Sequence, residues 1–387
     1  MNNKSDKLLA LSAAAILVNG FANVAQSNPP DGKTKVDYRY SSYEEDSISD
    51  SKKAMGGDSR YSIDVHHLKL KLPVSEMTEV SAYLISETMS GASPYYVTEV
   101  DGVLLQVMSG ATIDESRIEV GGDFRSYHDR SASPISASYS KENDYESLGF
   151  GYSSAWRFNE NLTTVSYGVS GSRDQINASH PEIDSERPVD ERKTRLGFFV
   201  GLSQVITKTT LISGTVGFTA LDGYLSDSYK KAIVLGEFGG LKHDSRPREQ
   251  VQTSISLALR EYFPQLNGAV HLDYAYYEND WELESNTVDL SWYQNLGLGW
   301  QLIPSYRWYS QTQAVFYSPI YYAPRNDEYY SSDFRLSDFS SESFRIKLSK
   351  VWEKYRVNVS FEKYKSDGDH PGLVDFKHIG VAWGMDF

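Results

Sequence analysis

Long segments that alternate apolar with small or polar residues recur through this chain up to its last residue. No other feature constrains its fold as strongly. In residues 379–387, Ile379, Val381, Trp383, Met385 and Phe387 alternate with Gly380, Ala382, Gly384 and Asp386. A strand sends successive side chains to opposite faces, so one face here is wholly apolar. The pattern repeats at Leu68, Leu70 and Leu72, at Leu196, Phe198, Val200 and Leu202, and at Val251, Thr253, Ile255, Leu257 and Leu259. It returns at Val288, Leu290 and Trp292, at Phe344, Ile346 and Leu348, and at Val357, Val359 and Phe361. Alternation alone also fits a soluble sandwich, whose apolar faces pack together. Length separates the two readings. Many segments here run to about 12–16 residues, against about 5–6 for a strand of a globular protein, and roughly 9–11 tilted residues cross a bilayer.

The expectation is therefore all-β: a transmembrane antiparallel up-and-down β-barrel of about 16 strands, with 14–18 possible. An even count suits a bacterial single-chain barrel, and the connections fall into a short set and a longer one. The barrel is placed at 36–387, with long extracellular loops at 90–115, 176–190, 221–246 and 313–340. Two further connections on the loop side, 280–281 and 367–373, are short. Residues 97–113 are ambiguous. They hold either a hairpin that raises the count to 18 or a loop that folds into the pore. Aromatics near segment ends (Tyr38, Tyr40, Tyr43, Trp156, Phe158, Tyr306, Trp308, Tyr309, Trp352 and Tyr355) suit the boundary between lipid and water.

The N-terminus reads as an export signal. Lys4 and Lys7 precede the apolar run Leu8–Val18, and small residues follow at Gly20 and Ala22. Eleven apolar residues are too few to span a bilayer. Residues 1–22 are thus expected to be a signal peptide, cleaved after Ala22 or Ala25. Residues 23–35 then form a short periplasmic segment, with no room for a plug domain. The expected location is the outer membrane of a Gram-negative bacterium, where the protein is integral and meets outer-membrane lipid. An aromatic residue closing such a strand resembles the signal read by the bacterial barrel-assembly machinery, here Val381, Trp383, Met385 and Phe387.

Composition narrows the chemistry. With 38 Lys and Arg against 52 Asp and Glu, the net charge of −14 opposes nucleic-acid binding, which needs a basic face. The absence of Cys excludes disulfides, thioether-bound haem and thiolate metal sites. No catalytic or phosphate-binding motif occurs, so no enzyme, cofactor or metal site is expected. His66 and His67 point to opposite faces and cannot share a metal. His271 and Asp273 share a face and lack a visible third ligand. On the polar face the candidate lumen-lining residues are Lys69, Lys71, Arg117, Glu119, Asp123, Arg125, Arg195, Arg260, His271, Asp273, Asp289, Arg345, Lys347 and Glu362. Their mixed charge implies a weakly selective or loop-restricted pore.

Several segments carry a family resemblance. They include 108–117 (MSGATIDESR), 140–145 (SKENDY), 222–230 (DGYLSDSYK), 271–277 (HLDYAYY), 329–337 (YYSSDFRLS) and 371–376 (PGLVDF). Together they resemble domain of unknown function 3570, a family of outer-membrane β-barrels with no established activity. The resemblance implies the barrel fold and an association with envelope redox traffic, through a small lipoprotein or periplasmic redox protein as partner. The functional expectations are a porin-like channel for small solutes, a structural barrel that encloses or docks a redox carrier or lipoprotein, and, third, an outer-membrane hydrolase. The Tyr/Ser/Asp-rich motifs at 222–230 and 329–337 lie in extracellular loops that could fold back over the pore.

Overall fold

The computed structural model describes residues 29–57, 59–109, 113–182, 184–237 and 239–387. The expected signal peptide and its cleavage sites lie outside these residues, as do Gly110, Ala111 and Thr112 of the 108–117 motif.

Sixteen antiparallel strands close into one barrel. The first half of the wall is built from β1 (Lys35–Glu45), β3 (Ser62–Ser75), β4 (Thr78–Gly91), β7 (Ile113–Tyr127), β8 (Ser131–Lys141), β9 (Tyr145–Phe158), β10 (Thr163–Ile176) and β11 (Glu191–Val205). The second half comprises β12 (Thr210–Gly223), β15 (Glu249–Phe263), β16 (Gly268–Asn279), β17 (Glu284–Gly297), β18 (Trp300–Gln311), β20 (Phe339–Trp352), β21 (Tyr355–Asp367) and β22 (Phe376–Asp386). Each pairs with its neighbour in the wall, and β1 closes the seam with β22 through the register Tyr38↔Trp383 and Tyr40↔Val381. Closure leaves no unpaired strand edge, which is what a lipid interior demands.

The alternation now has an address. Leu68, Ile118, Phe150, Leu196, Leu257, Phe344 and Ile379 are 46–61% exposed and point out of the barrel. An apolar belt of this extent is foreign to a soluble surface and suits lipid. Two aromatics assigned to the lipid boundary turn inward instead. Tyr43 opposes Ile63 and packs with Tyr61 and Met89, and Tyr309 shares the face of Thr287 and Ser341. Each is one residue out of register with the outward aromatics beside it, so its ring enters the lumen.

A hairpin does form across the ambiguous segment, at residues 94–108, but not in the wall. Strand β4 pairs directly with β7. The hairpin strands β5 (Pro94–Val100) and β6 (Val103–Met108) join β2 (Lys53–Met55) in a separate three-stranded sheet. A second small sheet unites β13 (Lys231–Val234), β14 (Gly240–His243) and β19 (Ile320–Tyr321). Both sheets are built from the long connections. Those connections all leave the wall at one end, opposite the short turns at 76–77, 128–130 and 353–354.

Candidate functional site

Strand alternation makes the lumen wall, and its two sides differ. On β8 to β12 the mid-strand inward residues are mostly small, with Arg195 and Phe199 the large exceptions. Ser136, Ser138, Gly149, Gly151, Ser153, Ser166, Gly168, Ser170 and Ser172 follow in register, continued by Gly197, Gly201, Thr215 and Gly217. The opposite side, β15 through β22 to β7, carries most of the charges. Ion pairs cross adjacent strands there, among them Arg260–Asp273 at 2.5 Å, Arg307–Asp289 at 2.8 Å and Lys71–Glu79 at 3.0 Å. The side chains of Asp273, Arg307 and Arg345 stay 42–46% exposed, so the barrel is hollow at their depth.

The sequence-predicted lumen residues distribute as follows. Lys69, Lys71, Arg195, Arg260, Asp273, Asp289, Arg345, Lys347 and Glu362 share the inward parity of their strands. Arg117, Glu119, Asp123 and Arg125 share that of β7. Arg117 and Glu119 are buried near the loop end, where the Arg117 guanidinium meets Glu87 at 3.0 Å and also pairs with Glu119. Asp123 accepts from Ser81 Oγ at 2.5 Å. His271 lies against Tyr293 with ring centres 4.0 Å apart and planes tilted by 31°, and its neighbour Asp273 is held by Arg260. Among the described residues no group of three His, Asp or Glu is placed to hold a metal.

Further inward residues escaped the sequence reading, among them Asp37, Arg39, His67, Glu79, Arg307, Arg356 and His378. Parity would have found them. Arg39 lies between the outward Tyr38 and Tyr40, and Arg307 between the outward Tyr306 and Trp308.

Above the hollow lumen the long connections converge into a lid. Two segments singled out in the sequence, 222–230 and 329–337, meet there. Arg335 donates to Asp227 at 2.6 Å, and Lys230 pairs with Asp333 at 3.1 Å. Arg246 reaches Asp333 at 2.9 Å and Asp244 at 2.7 Å, while Ser331 donates to Asp244. Asp333 and Ser331 are completely buried. Burial opposes ionisation of Asp333, but the charges of Arg335, Lys230 and Arg246 outweigh it and hold the carboxyl well below the usual carboxylate range. An apolar layer of Trp281, Leu283, Phe316, Tyr317 and Leu336 packs beside these ions, against the inward ring of Tyr277.

Other loops lock on from around the rim. Arg60 pairs with Glu45 at 2.8 Å and lies 5.8 Å above the Phe334 ring. The chain leaves β4 at Gly91, whose φ of +132° and 2.2 Å clearance to the Arg60 carbonyl admit no Cβ. Tyr229 donates to Asp144, which ties the segment 222–230 to 140–145. His370 Nε2 donates to the Ser332 carbonyl at 3.0 Å, while its Nδ1 accepts from Gly372 N–H at 2.8 Å. This pairing requires the neutral ring, and burial pushes the imidazole down to about 4. Nothing in the sequence marks His370 or Arg60, because their partners lie on remote loops.

A family described as "Protein of unknown function (DUF3570)" matches residues 7–382. The chain belongs to this family. Its fold is similar to that of a bacterial polysaccharide outer membrane secretin, with a TM-score of 0.52 at 9% identity, over 91% of this chain and 98% of that one. OccK3 (OpdO) from Pseudomonas aeruginosa aligns at 0.45 and 10% identity, over 95% and 98% of the two chains. A BenF-like porin from Pseudomonas fluorescens Pf-5 aligns at 0.45 and 8% identity, over 93% and 100%. A comparison with curated proteins finds no match. This DUF3570 member has an outer-membrane β-barrel fold.

Proposed function

We propose that this protein is a passive, lidded channel for small solutes, seated in the outer membrane of a Gram-negative bacterium with its long loops outside. One observation carries the reading: mid-depth lumen side chains stay open to solvent beneath a lid whose own polar groups are buried and paired. An enzyme would concentrate its polar groups at one cleft. Here they spread over many strands of a wall, as water and solutes require. The buried ion cluster fits a gate better than a random loop tangle. It fixes one closed arrangement, and it leaves charges that water can re-solvate when the lid lifts.

The test is conductance in planar bilayers. The full chain is expected to show small or intermittent currents, and removal of 313–340 is expected to raise conductance and loosen size exclusion. A correctly folded deletion variant that conducts no better than the full chain would overturn the gate. Turnover of a lipid, glycan or peptide by the purified barrel, lost on mutation of one Ser or His, would overturn the channel.

A further inference from the structure

The lumen charges do not cancel evenly. Nearly every inward acid on the charged side already has a cation. Glu79 holds Lys71, Asp273 holds Arg260, and Asp289 holds Arg307. Asp37 is taken by Arg356 at 2.9 Å. Glu362 accepts from Ser343 Oγ at 2.7 Å and lies 3.9 Å from Arg345. Asp123, the exception, is held by the Ser81 hydroxyl. What remains is cationic: among the described residues Arg195 on the small-residue side, Arg125 at the turn end of β7 opposite Glu79, and the trio Arg39, Lys69 and Lys347 have no ion-pair partner.

These three sit close together on the wall. Arg39 opposes His67 on β3, two residues from Lys69. On its other side Arg39 opposes Ala382, next to Gly380, and Gly380 opposes Ser360, which opposes Lys347. Arg39 and Lys347 therefore stand on strands three spacings apart, about 14 Å along the wall. The inward residues between them are Asn358, Ser360, Gly380 and Ala382. Long cationic side chains thus flank a floor of small ones. At Gly380 a Cβ would come within 2.7 Å of Ser360 Oγ, so the floor stays low there. Lys347 lies within electrostatic reach of both Arg345 and Arg39, and His378 within reach of Glu362 first and then of the same two arginines.

The geometry points to an anion site at this slot. Arg39, Lys69 and Lys347 bind an oxyanion-bearing solute, a carboxylate or a phosphate, as it passes the lumen. Like charges gathered in a wet cavity repel one another unless a counter-anion sits among them. A guanidinium opposite ammonium groups matches a planar or tetrahedral oxyanion. Low-dielectric walls focus the field, which raises the local anion concentration. The site rests on the channel reading and deepens it: the pore prefers anions.

The experiment uses the full chain and the 313–340 deletion, refolded and checked for heat-modifiable mobility. In a potassium chloride gradient the reversal potential is expected to lie on the chloride side. Inorganic phosphate and acetate, added separately, are expected to reduce the chloride current, and their ranking tells phosphate from carboxylate. Arg39→Gln with Lys347→Gln should weaken that block roughly tenfold. Arg195→Gln, on another part of the wall, should leave it unchanged. Current without anion preference and without block overturns the site while the channel stands. If neither protein conducts, the channel reading fails. The site is then judged by phosphorus NMR of inorganic phosphate with the full chain: broadening lost in the double variant upholds it, and no broadening overturns it.

Discussion

Ser256 and Leu257 are neighbours in the chain and face opposite media. Leu257 is 52% exposed on the outer face, beside Gly214, whereas Ser256 opposes Thr215 and Ala275 on the inner one. Arg or Lys at Leu257, or at Leu290 on β17, is expected to cost roughly 2–4 kcal/mol. The same change at Ser256 or Ser291 should be tolerated, as urea unfolding from detergent would measure. Equal tolerance at all four positions would show the register to be wrong. His370 gives a second prediction. Its folded value of about 4 lies below the unfolded 6.5, so between these values the open form holds the extra proton. Lid closure therefore weakens as the pH falls from 6.5 to 4 and levels off below, by on the order of 3 kcal/mol in all. Asp333 stays ionised through that window. Protease sensitivity of the loops should rise with acidification in the native protein and change little in His370→Gln. The parity of a strand residue is legible from sequence, whereas the partners of His370 and Arg60 are not. Both depend on separate loops meeting in space: Ser332 lies 38 residues before His370, and Phe334 lies far downstream of Arg60.

At the scale of elements, the sixteen strands of the wall were readable from alternation. The period of two is enforced there, because a slip of one residue would turn every apolar side chain into water. The hairpin at 94–108 resisted for the same reason. Its strands alternate too, and nothing local tells a lid strand from a wall strand. What decides is the direct pairing of β4 with β7, a contact between segments more than twenty residues apart. Strand β22 invites a test of its outward edge. Phe387 is 62% exposed just beyond it, and its N–H donates to the Thr34 carbonyl at 2.8 Å. Phe387→Asp would set a charge at the boundary beside Trp383 and Met385. It is expected to cut the amount of assembled barrel while export continues, as surface labelling would read. Unchanged surface levels would refute it.

For the whole molecule, the outward belt and the closed wall predict recovery with outer membranes and a gel mobility that shifts on boiling. Recovery in the soluble periplasm would contradict the fold's placement in lipid. The fold was legible at this scale, but the lid was not, although the Tyr/Ser/Asp-rich loop segments hinted at folding back. Its ion cluster joins Asp227, Arg246 and Asp333, which no spacing rule relates. The lid also bears on the order in which the chain assembles. Its contributors come from both sides of the β1–β22 seam. Arg60 follows β1 and lies over Phe334, while His370 precedes β22 and grips Ser332. Asp46 N–H donates to the Asp375 carbonyl at 2.8 Å across the same junction. The lid can be completed only after the two ends of the chain have zipped together. Once complete it staples them, so a barrel inserted with its seam still ajar would be left uncapped and marked for surface proteolysis.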